Sequence, residues 1–216
     1  YNTDLKMINI NENTNIEAEL EDCDGILLTP GFGERAVDGM IKTAEYAMEN
    51  KIPFLGICFG AQLFWIAFCR KYLGLKKANS TEIDENTPDP VVDLLESQKD
   101  ITEKGGTMRL GGLKIVLKEG TKLYEAYGKK EIIERFRHRY HINSNYMTQE
   151  ARDKGIVVSS TDPTGKIINS IELDREDHWM VGTQFHPEFK SKPFRPSSPY
   201  VGFIKECIKQ MNDRTI

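Results

Sequence analysis

An α/β fold, with an open, mostly parallel sheet and helices on both faces, is predicted by three observations in this 216-residue sequence. Two short apolar runs each end in a glycine-rich turn. A helical repeat of apolar residues follows each turn, and a third apolar run leads into a C-terminal helical repeat. Strand, helix, strand, helix in that order implies parallel neighbours joined by right-handed crossovers, with binding sites at the carboxyl ends of the strands.

The first run, residues 25–28 (Gly-Ile-Leu-Leu), enters the tight loop Thr29-Pro30-Gly31-Phe32-Gly33 and reads as a buried strand. Met40, Ile41, Ala44, Ala47 and Met48 then recur at helical spacing before Asn50, and Pro53-Phe54-Leu55-Gly56-Ile57 is the next strand. Residues 61–72 are apolar on nearly every side, interrupted by Gln62, and Gly74 offers a stop, which predicts a buried helix with Trp65 in its core. Residues 79–106, with Thr87-Pro88-Asp89-Pro90 and many charges, read mainly as loop with short elements. Residues 108–117 read as two short strands around Gly111-Gly112, forming a rim over the sheet. Residues 181–185 are a further strand, and Val201, Ile204, Cys207, Ile208 and Met211 mark the inner face of a last helix.

Bulk properties exclude several function classes. Hydrophobic residues at 39% and charged residues at 29% describe an ordinary globular domain. A net charge of -4 without a basic stripe argues against nucleic acid as a partner. Cys23, Cys58, Cys69 and Cys207 lie far apart with no Cys-x-x-Cys pair, so neither a zinc site nor a disulfide framework is signalled, and a reducing cytoplasm fits. His138, His141 and His178 show no ligand spacing, so no metal is expected. No apolar run reaches the length of a membrane span, and the opening Tyr-Asn-Thr-Asp-Leu-Lys is not a signal peptide.

Chemistry concentrates in two places. Gly56-Ile57-Cys58-Phe59-Gly60 sits where a strand turns into a helix, the Gly-x-nucleophile-x-Gly arrangement of a nucleophile elbow. A thiolate there faces a helix N-terminus, whose partial positive charge lowers a cysteine pKa. Taken alone, the pentapeptide also suits a small core cysteine. Gln184-Phe185-His186-Pro187-Glu188-Phe189 follows a strand, so an imidazole and a carboxylate two residues apart can point to one cleft. His186 can take the thiol proton, and Glu188 can hold the imidazole in the needed tautomer.

These two motifs, in this order, resemble those of class I glutamine amidotransferases. The further stretches Ser80-Thr81-Glu82, Gly105-Gly106-Thr107-Met108-Arg109-Leu110-Gly111, Arg137-His138-Arg139-Tyr140 and residues 184–191 resemble, within that group, the glutaminase domains of the CTP synthase family. The resemblance implies a flavodoxin-like amidotransferase fold and glutamine hydrolysis to glutamate and ammonia through a thioester on Cys58, with His186 and Glu188 completing the triad. It implies backbone oxyanion donors at Gly31 and Phe59, and glutamine contacts at Gly31, Phe59, Gln62, Glu82 and Arg139. Glu82 suits the α-ammonium, and Arg139 suits the α-carboxylate or orients the neighbouring backbone. Thr29-Pro30 depart from the usual Pro-Gly of the oxyanion loop. Because Pro30 has no N–H, the donor role rests on Gly31.

By the same resemblance, residues 1–216 are a glutamine amidotransferase domain without the family's first strand and helix, which are not found before Leu5. No cofactor is expected in this domain. ATP, UTP and Mg are expected in an N-terminal synthetase domain that converts UTP to CTP, with GTP as activator and a homo-oligomer as the full-length assembly. No phosphate-binding loop of the Gly-rich, Lys-Ser/Thr type is found in the chain itself.

Overall fold

A computed structural model of the chain describes residues 2–11, 13–33, 36–95, 98 and 108–215. A short helix α1 (Ile16–Leu20) is capped by the Asn15 side chain, which accepts from the Ala18 N–H. The predicted alternation follows as β1 (Ile26–Leu28), α2 (Val37–Asn50), β2 (Phe54–Ile57) and α3 (Phe59–Tyr72). Next come β3 (Ala78–Ser80), β4 (Asp89–Asp93), β5 (Arg109–Leu117), α4 (Lys122–Tyr127), β6 (Glu131–His138) and β7 (His141–Ile142). The chain continues with α5 (Gln149–Asp153), β8 (Ile156–Thr161), β9 (Ile168–Leu173), β10 (Met180–Thr183) and α6 (Ser198–Thr215).

Seven of these strands form one sheet in the order β1-β2-β10-β9-β8-β5-β6. β1, β2 and β10 pair in parallel, and these are the strands that lead into the two motifs. Beyond β10 the sheet is extended by antiparallel pairs. One of them is the β8–β9 hairpin, closed by Asp162-Pro163-Thr164-Gly165 with Gly165 at φ +76°. A second sheet, β3-β4-β7, lies against α3, where Trp65 donates its indole N–H to the Val91 carbonyl at 3.0 Å. Trp65 is fully buried, as read from the sequence.

β2 and β10 are buried along their whole length, which is why they read as continuous apolar runs. Their side chains alternate between two cores. Phe54 and Met180 pack with residues of α2 and α3, whereas Leu55, Ile57 and Val181 pack with Leu123 of α4 and Phe203 of α6. Helices therefore cover both faces of the parallel strands. A fully buried apolar side chain contributes about 1.5–3 kcal/mol, so these two cores hold the motif-bearing strand ends in register.

Two expectations are corrected. Residues 109–117 form one strand and not two: Gly111 takes φ +82° but stays paired with Phe136, and Gly112 with Arg135, so the ladder to β6 carries the strand through both glycines. The stretch Gly105-Gly106-Thr107 lies outside the described residues. On α6 the buried side chain is Phe203, while Met211 is 45% exposed because residues 211–213 extend past the core. Among the described residues, no helix is long and apolar enough to cross a membrane.

Candidate active site

The turn from β2 into α3 is built by close backbone approach. A Cβ placed on Gly60 would lie 2.3 Å from the Leu28 carbonyl oxygen, and one on Gly56 would lie 2.7 Å from the Gly60 carbonyl oxygen. Neither glycine is needed for a positive φ. Both are needed because main chain passes where a side chain would stand. The strained residue is Cys58 itself, at φ 52° and ψ -102°, a conformation that costs a non-glycine residue about 1–3 kcal/mol. It is held there by its own N–H, which donates to the Thr183 carbonyl at 2.7 Å, and by its carbonyl, which accepts from Ala61 and Gln62. Gly60→Ala is expected to lower the unfolding free energy by about 3 kcal/mol, and the melting temperature by roughly 6–12 °C. An unchanged melting curve would show that β1 can move away from the elbow freely.

The second motif arrives beside the first through strand register. β10 pairs with β2 so that Thr183 faces Ile57, and the chain then runs to His186 while β2 runs to Cys58. The His186 Nδ1 lies 2.5 Å from Glu188 Oε1. A carboxylate only accepts, so Nδ1 donates and the lone pair of the neutral ring is on Nε2. That Nε2 is buried and has no hydrogen-bond partner among the described residues. The ring is kept in place by its main-chain N–H, which donates to the Arg135 carbonyl, and by stacking on Phe189 at 5.1 Å between centroids.

The sulfur environment corrects one expectation. Cys58 is 6% exposed, and burial pushes its thiol up to about 12. The Phe59 N–H and the Gln184 amide oppose that shift, and the charges of Glu82 and Glu188 add to it. Desolvation outweighs the partial charge of the helix N-terminus, so the resting group is a thiol and not a thiolate.

The oxyanion loop meets the elbow where a Cβ on Gly31 would stand 3.3 Å from the Phe59 ring. The Phe59 N–H is directed at the Cys58 sulfur, and Gly31 follows Pro30 in the loop after β1. The Gly33 N–H lies close enough to the Glu82 carboxylate, just past the end of β3, to act on its titration. Burial raises the Glu82 pKa, against the pull of that N–H and of the Arg139 charge. Gln62 lies in the first turn of α3, and its amide donates to the Tyr140 carbonyl at 2.9 Å. Cys58, Phe59, Gln62, Gly31, Glu82 and Arg139 are thus linked, and Arg139 stands just before β7 in the smaller sheet.

One group has no counterpart in the sequence reading. The His138 and His141 rings meet at 4.5 Å, and Arg109 lies over the Phe136 ring at 4.5 Å while donating to Asn169 Oδ1 at 2.8 Å. Burial lowers both imidazole pKa values, His141 to about 3 and His138 well below the usual range, and the Arg109 charge adds to the shift at each. Both rings are neutral at pH 7. His178 instead donates from Nε2 to the Ile52 carbonyl within the core. Among the described residues no three His, Cys, Asp or Glu side chains form a metal-holding group.

Comparison with known proteins identifies the family. The family model described as glutamine amidotransferase class-I matches residues 1–206. CTP synthase of Archaeoglobus fulgidus is 48% identical over 203 residues, which is 94% of this chain and 38% of the relative. CTP synthase of Bacillus subtilis is 46% identical over 219 residues, 99% of this chain and 40% of the relative. Among solved structures, the Trypanosoma brucei CTPS glutaminase domain with bound acivicin superposes with a TM-score of 0.82 at 32% identity, covering 90% of this chain and 74% of that one. The chain spans about two fifths of the length of these curated relatives.

Proposed function

The chain belongs to the class I glutamine amidotransferases, and from that premise we propose that it hydrolyses glutamine to glutamate and ammonia with Cys58, His186 and Glu188. The observation that carries this reading is the pair of adjacent strand ends: a strained cysteine at one, and at the other an imidazole whose Nδ1 is engaged by a carboxylate while its Nε2 lone pair is free to accept. Burial holds the Cys58 thiol well above its usual range, so little free thiolate is present at pH 7. Attack therefore runs with proton transfer from sulfur to His186 Nε2. The sulfur bonds to the side-chain carbonyl carbon, and the oxyanion is met by the N–H groups of Gly31 and Phe59. The imidazolium returns its proton to the leaving nitrogen, and ammonia departs. Water, deprotonated by His186, then opens the thioester and restores the thiol. Glu82 holds the α-ammonium of glutamine, Gln62 offers its amide, and Arg139 serves the α-carboxylate.

In this reading the ammonia feeds a synthetase domain of the same polypeptide that aminates UTP to CTP using ATP and Mg, as the names and lengths of the relatives suggest. The GTP response and homo-oligomeric assembly belong to that longer protein. The test is to incubate this chain with glutamine and measure both products. Glutamate and ammonia are expected in equal amounts; no release from either this chain or the longer protein would refute the proposal.

A further inference from the structure

Gln184 has no part in the reaction as derived so far, yet it is fully buried one strand away from the nucleophile. Its orientation follows from a chain of contacts. The Tyr140 main-chain carbonyl can only accept, so the Gln62 atom 2.9 Å from it is the NH2 group. The same NH2 lies 3.1 Å from the side-chain amide of Gln184, which must present its oxygen there. The other end of Gln184, 3.6 Å from the Cys58 sulfur, is then its NH2. The main-chain N–H of Gln184 donates to the Asn169 carbonyl at 2.8 Å, so the residue is held at both ends. Swapping the oxygen and nitrogen of either amide would set two acceptors or two donors face to face.

We propose that Gln184 is a positioning residue for the nucleophile: its amide NH2 occupies one lone pair of the Cys58 sulfur, and Gln62 links that sulfur to the substrate side of the site. With that lone pair engaged, the S–H turns toward other acceptors, and the negative charge that grows on sulfur during attack already has a donor. One acceptor of this relay is left open. Gln62 Oε1 is buried without a hydrogen-bond partner among the described residues, so a donor on bound substrate polarises the amide whose NH2 drives the relay. This assignment rests on Cys58 as the nucleophile of glutamine hydrolysis.

The test reads the thiol directly. The rate of Cys58 alkylation by iodoacetamide is followed from pH 6 to 10 by peptide mass spectrometry, in the native chain and in Gln184→Met, which keeps the volume and removes the donor. Loss of one hydrogen bond to a developing charge is expected to slow alkylation at pH 8 by about tenfold and to move the profile up by about one pH unit. Gln62→Met is expected to shift the profile in the same direction by about threefold, as the Gln184 amide is no longer held. A packing role alone would leave the profile where it is. Near-UV circular dichroism identifies the variants that fold, and Gln62→Met decides alone if Gln184→Met does not. A profile superimposable on the native one in a folded variant overturns the relay. Glutamine hydrolysis is assayed in parallel on the native chain and on the longer protein: its absence from both would overturn the proposed function and leave the alkylation profiles still able to judge Gln184.

Discussion

Cys58→Ala is expected to abolish glutamate release from glutamine, by a factor on the order of 10⁴–10⁶, the scale of losing a nucleophile from a catalytic unit. The sulfur is the atom on which the acyl group is carried, and neither Cys69, fully buried on α3, nor Cys207 on α6 stands at the elbow. Alanine fits the space without new contacts, and the two cores lie to either side of β2, so the fold should survive. In the longer protein, synthesis from added ammonia should persist, because it needs no thioester. The measurement is a pair of assays, one supplied with glutamine and one with an ammonium salt at a pH that provides free ammonia. Persistent glutamine-dependent activity would remove Cys58 from its assigned role; loss of both activities would mean that the elbow also supports the synthetase.

His186→Ala should slow glutamine hydrolysis on the order of 10⁵-fold, and Glu188→Gln should be roughly 10–100 times less severe. Alanine removes the proton acceptor itself, and with a thiol pKa of about 12 no useful thiolate forms without one. Glutamine at 188 can still accept from Nδ1 through its amide oxygen, which keeps the tautomer but loses the charge that stabilises the imidazolium. Single-turnover rates measure both. Equal losses would show that the carboxylate matters for proton transfer as much as the imidazole does.

Most of the site was legible because it depends on local pattern. Gly56 and Gly60 around Cys58 announce a tight strand-to-helix turn, and His186 and Glu188 follow a short apolar run that reads as a strand. The resemblance of the longer stretches to a known family then supplied Gln62, Glu82 and Arg139. What was not legible depends on tertiary depth. The helix N-terminus behind Cys58 is a local feature, but burial, which outweighs it, is not. Gln184 looked like one more letter of its motif, since its meaning lies in Gln62 and Tyr140, far away in the chain. Strand direction beyond β10 was equally hidden: an alternating stretch such as Glu131–His138 has the same period whether its neighbour runs parallel or antiparallel. Gly111-Gly112 misled for the same reason, because a cross-strand ladder and not the local sequence keeps β5 whole.

The insertion of β10 between β2 and β9 has a consequence for the order of events during synthesis. Cys58 and Gln184 are 126 positions apart, and the Thr183 carbonyl that anchors the elbow is made only after most of the domain has left the ribosome. Contacts of such long sequence separation form late and slowly. Before β10 takes its place, β1 and β2 have no third parallel neighbour, Cys58 has no reason to adopt its strained backbone, and its thiol is an ordinary one. The elbow cysteine and the histidine beyond β10 are therefore brought together in a single step, with the closing of the sheet, so on the proposed reading glutamine hydrolysis begins only once β10 is in place.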